Sequence, residues 1–404
     1  MNPAQSLKQR RQKRQEIMSN KSLFVCPICG NTDSKYIGYK DGKPYCRKCI
    51  TFRGQEASGD YVQLDSAEWT LHYDLSEDQK KLSNQLLENF KNGIDSLVHA
   101  VCGSGKTEIC IGIISYCIRN GLKVGFAVPR RDVCVELYYR FADIFRDNDL
   151  TAVYGGNTKY LEGDLVLLTT HQLFRYDHYF DLLIVDEIDA FPFKGSEILE
   201  VFFKRSIKKN YVLMTATPNK QTLEHFSKPG RAVLQLFSRF HGKPLPVPSV
   251  IKGNELYLNY KLVKEVSRIL KSFKQIFIFV PTIDLSVKVY KFLRLFFRNG
   301  YYINSHSENR DEIIKRFRVK KYRYLVTTAV LERGVTVKDL QVIVYHSDHP
   351  IYDSYSLIQI AGRVGRKKDA PEGEVIFLAR ENNEEMQRAI AEINAANKKL
   401  SNLL

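Results

Sequence analysis

The chain has no run of about 18 consecutive apolar residues, the length a membrane-spanning helix requires, although 44% of its 404 residues are hydrophobic. The composition therefore supports sizeable buried cores without a helical membrane span. No apolar stretch follows the basic residues near the N-terminus (Lys8, Arg10, Arg11, Lys13 and Arg14), so the start of the chain does not read as a secretory signal. The expectation is a soluble cytoplasmic protein that reaches a membrane only through a partner or a surface patch. Repeats of fixed short period are missing too, which excludes a solenoid array, and there is no long low-complexity segment.

The cysteines lack a disulfide-type distribution. Of the eight, Cys102, Cys110, Cys117 and Cys134 stand singly in apolar stretches, where cysteine behaves as a small hydrophobe. The others form two close pairs, Cys26-Pro-Ile-Cys29 and Cys46-Arg-Lys-Cys49, a spacing that points to a tetrahedral thiolate site in a reducing compartment. Four protein ligands leave no open position, so the site reads as structural. Zinc is the default metal and iron the chemical alternative. Lys43, Arg47, Lys48 and Arg53 surround the pairs, with Tyr45 and Phe52 between them. That mixture suits single-stranded nucleic acid or a protein partner.

Acidic residues are too few to balance the basic ones, 45 against 61, and the net charge is +16. Residues 1–60 carry 12 basic and 5 acidic side chains, residues 61–238 carry 20 and 23, and residues 239–404 carry 29 and 17. A solvated surface and a polyanion track both fit this split.

Short, nearly continuous apolar runs recur at 96–101, 124–128, 165–169, 182–185 and 212–214, then at 276–280, 324–326, 342–345 and 375–378. Such runs suit parallel strands buried on both faces. Segments of helical spacing between them, such as 133–145 and 285–297, complete an α/β, doubly wound pattern. Between the two series, residues 239–250 contain Gly242, Pro244, Pro246 and Pro248, which disfavour helix and central strand alike. The expected division is a cysteine module with its basic tail (1–60), a first lobe (61–238), a linker (239–250) and a second lobe (251–404).

Gly103-Ser104-Gly105-Lys106-Thr107 follows the first apolar run and precedes a helical segment. Strand, glycine-rich loop and helix form a phosphate cradle: backbone N–H groups turn inward, Lys106 reaches the β and γ phosphates of ATP, and Thr107 offers its hydroxyl to Mg²⁺. Position 100 is Ala where the general pattern begins with Gly. The run at 182–185 ends in Asp186-Glu187, placing Asp186 to hold Mg²⁺ and Glu187 to polarise water. Thr215 and Thr217 follow the run at 212–214 and are candidates for coupling phosphate loss to motion. Gln359-Ile360-Ala361-Gly362-Arg363-Val364-Gly365-Arg366 carries two arginines suited to stabilise charge on a transferring phosphoryl group.

In this order the motifs resemble helicase superfamily 2 across residues 75–380. That resemblance adds Asp186-Glu187-Ile188-Asp189 and Arg333-Gly334-Val335 as motifs and implies two tandem RecA-like lobes. It implies that Gln79 reads adenine. It assigns nucleic-acid contacts to Pro129, Arg130, Gly155, Gly156 and Thr170 in the first lobe and to Thr282 and Thr328 in the second. The cysteine module ahead of the motor, the run from Ile184 through Phe193, Arg239-Phe240-His241-Gly242, and Leu331 through Thr336 are similar, more narrowly, to the late-competence ATPases of Gram-positive bacteria. This implies zinc at Cys26, Cys29, Cys46 and Cys49, and a single-stranded-DNA-stimulated translocase at the cytoplasmic face of the DNA-uptake channel. An RNA or DNA remodeller with the same engine, and a nucleotide-gated adaptor, are the rival readings.

Overall fold

The computed structural model describes residues 24–64, 66–71, 73–101, 103–188, 195–239, 241–331, 337–367 and 369–401. Asp189, Phe193 and residues 332–336, with the motif at Arg333, fall outside the described residues, as does the basic tail before residue 24.

Two parallel sheets carry the fold. The first contains β3 (Asp95–Ala100), β4 (Val124–Val128), β5 (Leu150–Val153), β6 (Leu165–Thr169), β7 (Phe180–Asp186), β8 (Ile207–Thr215) and β9 (Arg231–Leu236), in the order β5-β6-β4-β7-β8-β3-β9. The second contains β10 (Ser249–Lys252), β11 (Gln275–Phe279), β12 (Gly300–Ile303), β13 (Tyr324–Thr327), β14 (Leu340–Tyr345) and β15 (Val375–Ala379), in the order β10-β15-β14-β11-β13-β12. These are the two RecA-like lobes expected from the motif order. The interior strands β4, β6 and β7 are buried along almost their whole length because helices cover both faces. Alternate residues feed two cores: Phe126, Leu167 and Ile184 face one side of the first sheet, and Ala127, Leu168 and Val185 the other.

Every strand missing from the apolar pattern is an edge. β5 and β9 flank the first sheet, and β10 and β12 flank the second. Their burial is broken, half-exposed over the first three residues of β9 and exposed at both ends of β10, so no continuous apolar run marks them. β10 also begins inside the proline-bearing segment, at Ser249.

The cysteine module is built on a hairpin of β1 (Ile37–Lys40) and β2 (Lys43–Cys46). It does not stand apart from the first lobe. Phe52 inserts between Phe202 and Phe174, with ring centroids 4.9 and 5.9 Å away. Arg205 donates to the Ile28 carbonyl at 3.2 Å, and Lys48 pairs with Glu197 at 2.6 Å. The four cysteines pack into the same core as Leu168 and Val185.

From the module, residues 53–64, 66–71 and Tyr73 run over the first lobe as a strap. Arg175 donates to the Gln55 carbonyl at 2.5 Å, and the Gly59 and Leu64 N–H groups donate to Glu162 and Asp164 at 2.7 and 3.0 Å. Arg119 then grips the Ala67 carbonyl with two nitrogens, and the Tyr73 hydroxyl donates to Glu108. Phe52→Ala removes the aromatic plug under the module, a loss of about 1–2 kcal/mol for a half-buried ring. Limited proteolysis is expected to cut within residues 53–73 several-fold faster, with both lobes still protected.

Candidate active site

The phosphate loop leaves β3 through Val101, whose N–H donates to the Leu236 carbonyl at 3.1 Å. Gly103 and Gly105 both have φ of +79°, the left-handed region that glycine alone occupies without cost. A Cβ at Gly105 would lie 2.3 Å from Gln79 Nε2, so a side chain there would push Gln79 off the loop. Helix Lys106–Ile109 starts with no side-chain cap, and a second helix, Ile111–Arg119, continues into the core. Ser104 is 1% exposed, and its Oγ has no hydrogen-bond partner among the described residues.

Lys106 Nζ lies 4.0 Å from Asp186 Oδ1, and both side chains are mostly buried. The strand order explains this meeting. β7, which ends at Asp186, is separated from β3 only by β8, which ends at Thr215. Glu187 turns out of β7 with φ of +58°, held by its N–H to the Met214 carbonyl at 3.0 Å and to Asp186 Oδ1 at 2.9 Å. A non-glycine residue in that region is strained and persists where neighbouring bonds over-determine it. Thr215 is fully buried, and its Oγ1 accepts from the Thr217 N–H at 3.0 Å.

Gln79 is placed on the loop. Its Oε1 accepts from the Ser76 N–H at 2.9 Å, closing a capping box on helix Glu77–Lys91, and its Nε2 donates to the Ser104 carbonyl at 2.8 Å.

The contact residues expected for nucleic acid sit on the other half of the same edge. Pro129 and Arg130 follow β4, Gly155 and Gly156 follow β5, and Thr170 follows β6, whereas the residues expected to serve ATP at Lys106, Asp186 and Thr215 lie at β3, β7 and β8. Gly155 and Gly156 border open space. Thr170 is 1% exposed with an unpartnered Oγ1, while its neighbour His171 is exposed and stacks on Phe52 of the cysteine module at 6.3 Å. Arg130 crosses to the second lobe and donates to the Ala329 carbonyl at 3.3 Å. In that lobe Thr282 caps helix Ile283–Arg294, and Thr328 follows β13, beside β11.

Arg363 is 2% exposed and, like Arg366, lies within electrostatic reach of Glu136 on helix Arg131–Ile144 of the first lobe. Burial pushes the Glu136 carboxyl up, and Arg363, Arg366 and Arg318 oppose that shift. Arg366 Nε donates to the Gly362 carbonyl at 2.9 Å. One turn along the same helix, Arg140 ion-pairs with Glu108, which is 3% exposed and also accepts from the Tyr73 hydroxyl at 2.5 Å. Glu108, Glu136 and Arg140 were not singled out in the sequence. Glu108 directly follows Thr107 on a helix of buried residues, and a charge in that setting was the available signal.

The four cysteine sulfurs lie within 4.8 Å of one another, with Cys26–Cys49 at 3.5 Å and Cys29–Cys46 at 3.6 Å. Tetrahedral thiolates around a zinc ion have sulfurs about 3.8 Å apart, so the residues fit that ion. Burial pushes the Cys29 thiol up to about 11, a shift that a bound cation would reverse.

Two family models match the chain: the type III restriction enzyme res subunit over residues 72–220, and the helicase conserved C-terminal domain over residues 261–368. Competence protein ComFA of Bacillus subtilis is 33% identical over 384 residues, covering 90% of this chain and 83% of that protein. ComFA of Streptococcus pneumoniae is 32% identical over 397 residues, covering 94% and 91%. The chain belongs to the ComFA family. With its helicase-superfamily lobes it is a nucleic-acid-dependent ATPase of the helicase type. The fold likeness extends to Saccharomyces cerevisiae Dbp5 bound to RNA and ADP BeF3, with a TM-score of 0.58 at 15% identity over 80% of this chain and 91% of that one. As in the sequence, no helix among the described residues is long and apolar enough to cross a membrane.

His99, in register with Thr215 on the neighbouring strand, is held down at about 4 by burial, with Lys399 and Lys106 adding to the effect. An unfolded histidine takes a proton near pH 6.5. The unfolded chain therefore gains the proton first as pH falls, and stability declines from about pH 6.5 until the folded state also protonates near pH 4. Melting temperature is expected to drop between pH 7 and pH 5, and His99→Gln to flatten part of that slope.

Proposed function

We propose that this ComFA-family ATPase is a translocase that pulls single-stranded DNA into the cell during natural transformation. The observation that carries the reading is the division of one sheet edge. Lys106, Asp186, Glu187 and Thr215 occupy the β7-β8-β3 half, and the loops at Arg130, Gly155 and Thr170 occupy the β5-β6-β4 half. A shift at the phosphates then reaches the strand grip through two neighbouring strands.

In this reading Gly103, Ser104 and Gly105 cradle the phosphates of ATP with backbone N–H groups, and Lys106 neutralises their charge. Thr107 and Asp186 would hold Mg²⁺, which supplies charge neutralisation at the phosphates when bound. Glu187 orients and polarises the attacking water. Gln79 positions the loop beside the adenine end. Arg363 and Arg366 complete the cleft from the second lobe, and Thr215 with Thr217 relays phosphate loss. Pro129, Arg130, Gly155, Gly156, Thr170, Thr282 and Thr328 grip the sugar-phosphate backbone without reading bases.

Zinc at Cys26, Cys29, Cys46 and Cys49 holds the module that braces His171 beside the strand grip. The site of action is the cytoplasmic side of the membrane, at the DNA-uptake channel and together with other late-competence proteins. Support for DNA over RNA comes from the two ComFA relatives, while the basic second lobe, with 29 Lys and Arg against 17 Asp and Glu in residues 239–404, supports a polyanion track of either kind.

ATP turnover measured beside single-stranded DNA, duplex DNA and RNA tests this directly. Single-stranded DNA is expected to give the largest stimulation; a larger response to RNA would assign the chain to RNA remodelling. Lys106→Ala should remove turnover, and Glu187→Gln should slow it by about 10²-fold or more while leaving ATP bound. Elemental analysis is expected to find one zinc per chain. A Cys26→Ser, Cys49→Ser double variant should lose it and bind single-stranded DNA more weakly.

A further inference from the structure

Arg239 lies in the segment between the two sheets, where an exposed tether is expected, yet only 2% of it is exposed. Its Nη2 donates to the carbonyls of Val364 at 2.8 Å and Gly365 at 2.7 Å. The His241 ring nitrogen Nε2 lies 2.8 Å from the same Gly365 carbonyl. Val364 and Gly365 are the residues between Arg363 and Arg366. The other side of the guanidinium lies against the phosphate loop, where a Cβ at Gly103 would come within 3.3 Å of Arg239 Nε.

The contact is tight on the second-lobe side as well. Gly365 has φ of +68°, and a Cβ there would lie 2.2 Å from the Pro371 carbonyl oxygen and 3.0 Å from Arg239 Nη1. One residue earlier, the Ser238 hydroxyl donates to Asp78 at 3.0 Å. Asp78 precedes Gln79, which donates to the Ser104 carbonyl. The start of the connecting segment therefore lies beside Gly103 and reaches Ser104 through helix Glu77–Lys91.

A buried guanidinium keeps its charge, so its burial is costly unless oxygen acceptors surround it. Two carbonyls on one nitrogen offset part of that cost and set direction as well as strength. A lysine ammonium, a point charge on a flexible stem, cannot hold two carbonyls on one side while lying flat against a glycine on the other.

We propose that Arg239 is a positioning residue that couples the phosphate loop to the turn carrying Arg363 and Arg366. Phosphates drawn into the cradle shift Gly103 against the guanidinium, the Val364 and Gly365 carbonyls follow it, and both arginines move as one unit. This rests on the reading of the chain as an ATP-driven motor and adds to it the element that links the two halves of the cleft.

The test uses the full chain with Arg239→Gln, Arg239→Lys and Arg366→Ala, alone and combined. Arg239→Gln is expected to bind a fluorescent ATP analogue within about threefold of wild type, while maximal DNA-stimulated turnover falls about tenfold or more. Added to Arg366→Ala, it should cost less than about a further twofold, because both changes remove one unit. Arg239→Lys should behave as Arg239→Gln. Losses that multiply in the double variant, or full rescue by lysine, would overturn the proposal.

Compaction on adding a non-hydrolysable ATP analogue, followed by small-angle scattering, gives a readout independent of DNA and turnover. Wild type should compact and Arg239→Gln should bind without compacting; equal compaction overturns the coupling. A wild type that compacts normally but shows no stimulation by DNA would instead sink the translocase reading and leave the coupling standing.

Discussion

Parallel strands can be joined only by crossovers, so the loop leaving each strand's carboxyl end emerges on one edge of the sheet. In the first lobe this constraint gathers the phosphate loop after β3, Glu187 after β7, Thr217 after β8 and the Arg130, Gly155 and Thr170 loops on a single rim. The order β5-β6-β4-β7-β8-β3-β9 then separates them into two neighbouring groups. The 4.0 Å approach of Lys106 to Asp186 is a local expression of that order. It requires β8 to lie between two strands far apart in sequence, and it requires both faces of the sheet to be covered so that the rim is held still.

The chain places charge where burial should penalise it, and several such cases cluster around the phosphate loop. Lys106 and Asp186 face each other, Glu108 is shared by Arg140 and Tyr73, and Arg239 is enclosed between the lobes. A hydrophobic substitute could fill these positions without the desolvation cost. Their chemistry therefore points to geometry and not to stability. Glu136 on the first lobe lies within the electrostatic influence of Arg363, Arg366 and Arg318 on the second.

Much of the fold was readable because interior parallel strands are apolar along their whole length. β4 and β6 coincide with their apolar runs to the residue. The four sheet edges were not readable, since a strand paired on one side and half-exposed needs no continuous apolar run. The site divides similarly. Residues whose spacing is local, such as Gly103 through Thr107, Asp186-Glu187 and the paired cysteines, could be picked out by pattern. Glu108, Arg140 and the interlobe role of Arg239 depend on partners tens to more than a hundred residues away, and no short-range pattern encodes such pairs. Arg239 was visible only as the opening of a linker, and the docking of the cysteine module through Phe52 depends on rings that are distant in sequence.

The strap between the cysteine module and helix Glu77–Lys91 bears on the order in which the chain can assemble. Its anchors are distant: Leu64 is bound to Asp164, 100 residues later, and Gln55 to Arg175, 120 residues later. During synthesis the cysteine module emerges with its hairpin complete before any of those anchors exists. Its four sulfurs come from a stretch of 24 residues, so the whole cysteine cluster is available while the remainder is still on the ribosome. The first lobe, by contrast, stays topologically open until the residues that follow β5 arrive and close a loop of about a hundred residues, an entropically slow step. The module's local contacts can thus form early, whereas its docking through Phe52 waits for Phe174 and Phe202.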